Sequence, residues 1–163
     1  MIIVNKNGTL IHNKKLYKCS LGKKGITKNK KEGDKKTPSG IFSLGKVFYR
    51  KDRIKNLKTK LNKTFIKKNM AWCDDPLKKT YNKLIFTKDK SKEKLYRKDH
   101  LYDIIIVIKY NMRPIKKNKG SAIFIHLAKR NYSGTLGCIG LKKKDLLEIL
   151  QSLSKTTKIK IVS

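Results

Sequence analysis

The chain has little negative charge, few arginines and no long hydrophobic run. Only 11 Asp and Glu face 43 Lys and Arg across 163 residues, a formal charge of +32. Just five of the cations are Arg, the side chain that pairs in two-pronged fashion with phosphate and guanine. A lysine field of this size steers a protein toward polyanions at low salt. The shortage of Arg, and the absence of any recognised nucleic-acid motif, argue against a dedicated reader of bases. Lys, Ile and Asn abound while Ala and Arg are scarce. That composition is expected of codons biased by an AT-rich genome, so much of the charge reads as a solvated background.

No segment approaches the ~18 apolar residues of a transmembrane helix. The start, MIIVNKNG, lacks the basic and apolar regions and the cleavage site of a signal peptide. The three cysteines, Cys19, Cys73 and Cys138, are an odd number. If one is a reactive thiol, the other two are either free or paired. Three His and three Cys lie scattered without ligand spacing, so neither a metal nor a cofactor is implied. With no repeat and no dividing linker, residues 1–163 read as one domain.

What is present is strand-rich. Ile2–Val4 and Thr9–His12 flank Asn5-Lys6-Asn7-Gly8 and predict a hairpin. Leu16–Leu21 predicts a third strand. A Lys- and Gly-rich loop from Gly22 ends in Thr37-Pro38-Ser39-Gly40, where Pro presets φ and Gly accepts a positive one. Ile41–Tyr49 returns as a strand. Residues 50–68 carry no assignable pattern. Met70-Ala71-Trp72-Cys73-Asp74-Asp75-Pro76 sets the only Trp beside two adjacent carboxylates, read first as turn chemistry before Pro76. The stretch SKEKLYRK, from Ser91, predicts a short helix, and His100 beyond it a structural role. Tyr102–Tyr110 (YDIIIVIKY) is the most hydrophobic segment and predicts a strand buried on both faces. Ser121–His126 predicts the next strand. Leu146, Leu147, Ile149, Leu150 and Leu153 recur at helical spacing within Lys142–Leu153, with Asp145 in the first turn. Lys158–Val162 closes the chain. The fold class expected is mainly β with one or two helices.

The functional reading centres on Gly120–Leu141. An apolar run delivers His126 to its end, a polar loop follows, and Cys138 lies between Gly137 and Ile139-Gly140, with eleven residues separating the two. A thiol becomes a good nucleophile when an imidazole within reach takes its proton. Spacing alone equally allows a satisfied strand-end histidine and a buried cysteine that is merely a small hydrophobe.

The segment IHLAKRNYSGTLGCIGLKKKDLLEIL resembles the catalytic stretch of the L,D-transpeptidases, the YkuD-type cysteine enzymes that crosslink bacterial peptidoglycan. Gly33, Asp34, Thr37, Pro38, Gly40 and Phe42 resemble that family's G-D-x-x-T-P-x-G-x-F loop. WCDDP with Tyr81-Asn82, and HLYDIIIVIKYN followed by GSAIFIH, resemble a compact subgroup without accessory domains. The resemblance covers nearly the whole chain. It departs from better-known members at Leu136, where they carry a second His before Gly-Cys, and in having no Arg just after the cysteine.

The resemblance implies mixed β-sheets packed with a C-terminal helix, and acyl transfer through a Cys138 thioester. Cys138 is then the nucleophile and His126 the base and acid, oriented through the Leu127 carbonyl. The N–H groups at Gly137 and Cys138 meet the oxyanion. Trp72, Asp74, Asp75, Tyr110, Asn111 and Thr135 become candidate substrate contacts. The implied partner is a peptidoglycan stem peptide, outside the cytoplasmic membrane in periplasm or cell wall, although no export signal is visible. Water in place of an acceptor amine makes the enzyme an L,D-carboxypeptidase. A different cysteine hydrolase, a peptidoglycan-binding relative without chemistry and a basic polyanion-binding protein stay open at this point. Imidazole and lysine field together predict a Cys138 thiol ionising below the free value of ~8.5.

Overall fold

The computed structural model describes residues 1–88 and 92–163. Strands β1 (Ile2–Asn5), β2 (Thr9–His12) and β3 (Lys15–Ser20) form an antiparallel meander. Two short strands, β4 (Ile26–Thr27) and β5 (Thr37–Pro38), pair with each other in the Gly-rich loop. Next come β6 (Gly40–Tyr49), β7 (Lys63–Phe65), β8 (Met70–Trp72), β9 (Leu84–Phe86) and β10 (Glu93–Lys94). Then follow β11 (Ile104–Ile108), β12 (Phe124–Leu127), β13 (Ile139–Leu141), helix α1 (Lys143–Ser152) and β14 (Lys158–Ile161).

The main sheet runs β11-β12-β13-β3-β2-β1-β14-β6-β7, and β6 also pairs with β11. That extra pairing closes eight strands into a mixed barrel and leaves β7 outside it. Pairing is parallel between β1 and β14 and between β12 and β13. Closure removes the edges that would otherwise invite association.

Period-2 alternation sorts the side chains. Ile2, Val4, Leu10, Tyr17, Cys19, Ile125, Ile139, Leu141, Ile159 and Ile161 fill the interior. Strand β11 is buried on both faces: Ile104, Ile106 and Ile108 point inward, while Ile105 and Val107 join an outer cluster with Phe48, Trp72, Tyr102, Phe124 and Cys138. The second cluster exists because β8, β9 and β10 form a small sheet of their own whose residues Met70, Trp72 and Leu84 pack with that outer face. A bulge in β6 lets both Leu44 and Val47 face inward, since Ile106 opposes Val47 and Ile108 opposes Leu44. Helix α1 adds Leu146, Ile149 and Leu150 to the interior cluster. Its register to β2 is held by His12, whose Nε2 lies 2.8 Å from the Ser152 hydroxyl.

The fold is thus mainly β with one C-terminal helix, as the pattern of strands predicts. Three local expectations are corrected. The SKEKLYRK stretch, whose residue 91 lies outside the described residues, forms β10 rather than a helix; Glu93 and Lys94 pair with Trp72 and Ala71, so an available sheet edge overrides local propensity. The strand expected from Ser121 begins at Phe124, because Ala122 adopts a left-handed φ of 53°. Residues 50–68, without a pattern, supply β7 and also Ile54, Leu57 and Leu61 to the interior cluster.

Three of the five arginines are used inside the fold. Arg50 is buried, binds Asp52 and the Arg97 carbonyl, and stacks on Tyr96. Arg53 bonds the buried Asp103 and the Lys98 and Asp99 carbonyls. Arg97 pairs with Asp99 and covers the Tyr102 ring. The forked guanidinium donors of these three are occupied by protein oxygens, and with only Arg113 and Arg130 exposed the surface charge is mostly Lys. Among the described residues, no helix is long and apolar enough to cross a membrane.

Candidate active site

Strands β12 and β13 run side by side and parallel, with Ile125 opposite Ile139 and His126 opposite Gly140. Ile125 and Ile139 point into the barrel, so His126 and Cys138 both point out of it. The two line one cleft of about 500 Å³. An eleven-residue separation in sequence becomes adjacency because a parallel pair needs a crossover, which the loop 128–137 provides. A second depression of about 590 Å³, lined by His100, Leu127, Arg130, Tyr132 and Lys142 among others, adjoins on the helix side and holds neither group.

The imidazole is buried. Its Nδ1 lies 2.8 Å from the Leu127 carbonyl, so that nitrogen carries the proton and Nε2 is left as the acceptor. Tyr102 packs edge-on against the ring at 5.2 Å. Cys138 Sγ accepts from the Phe124 N–H at 3.4 Å and donates to the Ala122 carbonyl at 3.2 Å. Burial pushes the thiol up to about 12, against the Phe124 hydrogen bond that favours thiolate. Burial likewise pushes His126 down to about 4, against the Leu127 carbonyl. The expected low thiol pKa is therefore corrected: desolvation outweighs the lysine field, and the resting pair is thiol and neutral imidazole.

Gly137 is also corrected in part. Its N–H already donates to Thr135 Oγ1 at 3.1 Å, and that hydroxyl donates to the Cys138 carbonyl at 2.6 Å. The Cys138 N–H makes no such bond among the described residues, and remains the oxyanion donor available at this turn. Gly137 is needed for another reason: its φ is 139°, and a Cβ there would lie 2.9 Å from the Lys36 carbonyl.

The remaining candidates divide. Asp74 and Thr135 line the cleft. Trp72, Tyr110, Asn111 and Asp75 do not line it, and their polar groups are occupied. Trp72 is buried against Phe124, and its Nε1–H donates to Asn82 Oδ1 at 2.9 Å. Tyr110 stacks on Phe42, with its hydroxyl donating to the Lys119 carbonyl. Asn111 closes its own loop through Lys116 and Gly120. Asp75 accepts from the Leu77 N–H and pairs with Lys92, which holds its carboxyl below the usual range. His100 binds Asp103 at 2.7 Å.

Sequence reading assigned no role to the groups that build the cleft. Asn82 is a four-bond hub: its Oδ1 accepts from Trp72 and from the Ala122 N–H at 3.1 Å, and its Nδ2 donates to the Tyr110 and Asn111 carbonyls. Glu32 lines the cleft with its carboxylate held by the Tyr81 and Ser121 hydroxyls. Neither Glu32 nor Asp74 has a cationic partner within 4 Å among the described residues, although the chain carries 43 cations. The G-D-x-x-T-P loop owes its form to Asp34, which accepts from Lys30 Nζ and from the Lys31 and Lys36 N–H groups. It also depends on the buried Thr37, whose hydroxyl takes the Gly22 N–H at 2.9 Å. Among the described residues, no group of His, Cys, Asp and Glu could hold a metal ion.

A thiol and an imidazole thus share one cleft on neighbouring strands of a closed barrel, with an N–H free at the cysteine. Residues 1–161 match the family of L,D-transpeptidase catalytic domains (YkuD), and the chain belongs to that family. Among solved structures, the helical cell shape determining protein Pgp2 from Campylobacter jejuni is similar at 17% identity and a TM-score of 0.47. The match covers 98% of this chain and 46% of that one, so the chain spans less than half of Pgp2's length. No curated protein sequence matches the chain.

Proposed function

We propose that the chain is a peptidoglycan L,D-transpeptidase working through a Cys138 thioester. The observation that carries this reading is the shared cleft of Cys138 and His126, with the Leu127 carbonyl on Nδ1 and Nε2 free to move a proton. The donor is a stem peptide whose diamino-acid L-centre is joined to a terminal D-alanine. Because the resting pair is neutral, Nε2 takes the thiol proton as Sγ attacks the carbonyl carbon. Charge developing on the carbonyl oxygen is met by the Cys138 N–H. The imidazolium then protonates the amine, the C–N bond breaks and D-alanine leaves. An acceptor amine attacks the thioester carbon, giving its proton through Nε2 back to sulfur as the C–S bond breaks.

The uncompensated Glu32 and Asp74 carboxylates support a substrate that brings a free ammonium group of its own. With water in place of the acceptor amine the same dyad performs L,D-carboxypeptidation, and Leu136, exposed on the cleft where better-known members carry His, is compatible with either outcome. Site of action follows from substrate: the cell wall. The test is incubation with tetrapeptide-stem muropeptides, followed by mass spectrometry. Release of D-alanine together with crosslinked product supports transpeptidation, tripeptide product alone supports the carboxypeptidase, and no release with an intact fold overturns both.

A further inference from the structure

Across the outer face of β12, β13 and β3, three residues form one row. Gly140 is the register partner of His126 on one side and of Ser20 on the other. Paired residues of neighbouring strands share a face, so Ser20 points to the same side as His126, with a glycine between them. The gap is used: a Cβ at Gly140 would lie 2.3 Å from Ser20 Oγ. The serine hydroxyl thus leans over the space that any other residue at 140 would fill. Ser20 lines the cleft and is 4% exposed. Its Oγ is the one buried side-chain polar atom among the described residues that lacks a hydrogen-bond partner.

A buried hydroxyl left unsatisfied is costly, and such groups in folded proteins call for a reason. A ligand atom that completes the bond is one. The sign of that ligand group is set by the neighbours. The chain leaving Ser20 runs beside the Cys138 turn, with Lys23 N–H on the Thr135 carbonyl and the Lys23 stem packed on Gly134. Ala128, next to Lys129, is the other near neighbour of Gly140. Lys23 and Lys129 both line the cleft, and neither has an acidic partner within 4 Å among the described residues. The acidic wall of Glu32 and Asp74 lies elsewhere in the cleft: Glu32 is bonded to Ser121, next to the Ala122 carbonyl that holds the thiol.

We infer that Ser20, with Lys23 and Lys129, binds the free terminal carboxylate of the residue that leaves. This rests on the acyl-transfer reading above. The amine protonated by His126 belongs to that residue, and in an α-amino acid the carboxylate is two bonds beyond it. Past Gly140 from His126, Ser20 is the next residue of that row, and its O–H is placed to donate to the carboxylate. The enzyme then favours donors whose leaving residue carries a free carboxylate over the same donors amidated at that terminus.

The experiment compares two synthetic donors, a tetrapeptide stem ending in D-alanine and the same stem ending in D-alaninamide, with wild type and Ser20→Ala. Wild type is expected to favour the carboxylate donor at least ~30-fold in kcat/KM. Ser20→Ala should lower kcat/KM for that donor about 10- to 100-fold, the range for a hydrogen bond to a charged group, and change the amide donor less than ~3-fold. The variant loses no intramolecular bond and sheds an unsatisfied hydroxyl, so its melting temperature should hold or rise. Equal use of both donors by wild type, or equal losses in the variant, overturns the assignment. Calorimetric binding of both stems to Cys138→Ala, with and without Ser20→Ala, reads the same preference without turnover. Discrimination between the stems that disappears with Ser20→Ala supports the carboxylate site even where turnover fails for another reason. Binding without discrimination sinks it while leaving the acyl-transfer reading intact.

Discussion

Cys138 Sγ donates to the carbonyl of Ala122 at 3.2 Å, and Ala122 holds a left-handed φ of 53° to present it. For a residue with a Cβ that conformation costs on the order of 1 kcal/mol. The cost is offset at Asn82, whose Oδ1 takes the Ala122 N–H. The thiol is therefore aimed by a side chain forty residues upstream of Ala122, which also anchors the only Trp of the chain.

Asn82→Ala removes all four of these bonds and leaves buried donors and acceptors unpaired. A loss of about 3 kcal/mol in urea unfolding is expected, with kcat falling more than binding of a stem peptide. Trp72→Phe removes one of the bonds and should cost less than half as much. Equal losses would show that Asn82 is not the organiser of this region.

The resting thiol is neutral. Ultraviolet difference spectra of wild type against Cys138→Ala should show no thiolate band at pH 7, and iodoacetamide should alkylate Cys138 no faster than an ordinary thiol. A carbapenem, whose carbonyl lets His126 act as base during attack, should still acylate Cys138, and His126→Ala should slow that acylation at least ~100-fold. Cys19 and Cys73, both buried and outside the cleft, should stay unlabelled.

His126 also makes stability depend on pH. Its folded value near 4 lies below the ordinary 6.5, so between those limits the unfolded chain binds the proton that the folded one refuses. The stability linked to this group is complete above pH 6.5 and is lost as pH falls toward 4. The loss is on the order of 3 kcal/mol. His126→Gln should flatten that part of the profile of melting temperature against pH. Activity should be level from about pH 5 to 8 and drop as the base protonates near 4.

Gly137→Ala puts a Cβ 2.9 Å from the Lys36 carbonyl at a φ of 139°. The turn must shift, carrying the Cys138 N–H away from the developing oxyanion. A fall in kcat of ~100-fold or more is expected, with near-native melting and unchanged stem-peptide binding. A variant of full activity would remove the turn from the mechanism.

Much of the fold was legible because it rests on local rules. Alternation marked β1, β2, β3, β6 and β14, and helical spacing marked α1, since one buried face repeats every two or every 3.6 residues whatever surrounds it. β10 was not legible. Two charged residues form a strand there only because β8 offers an open edge. The same applies to residues 50–68, whose Ile54, Leu57 and Leu61 are spaced for no regular element and are placed by the interior they help to fill. Within the site, His126, Cys138 and the Leu127 carbonyl follow from one short stretch of chain, and so were readable as a unit.

The amino-acid sequence by itself determined the chemistry on offer: one imidazole at a strand end, one thiol in a glycine turn, a charge of +32 and motifs resembling a transpeptidase loop. Only the tertiary structure decided their state. Burial made the thiol and the imidazole neutral, because desolvation depends on every neighbour and no window of sequence contains those neighbours. The packing of barrel, loop and small sheet brought Ser20, Glu32, Asp74 and Arg97 from distant segments around Cys138. It also turned Trp72, Tyr110 and Asn111 to holding loops, since their polar groups met partners within the protein first.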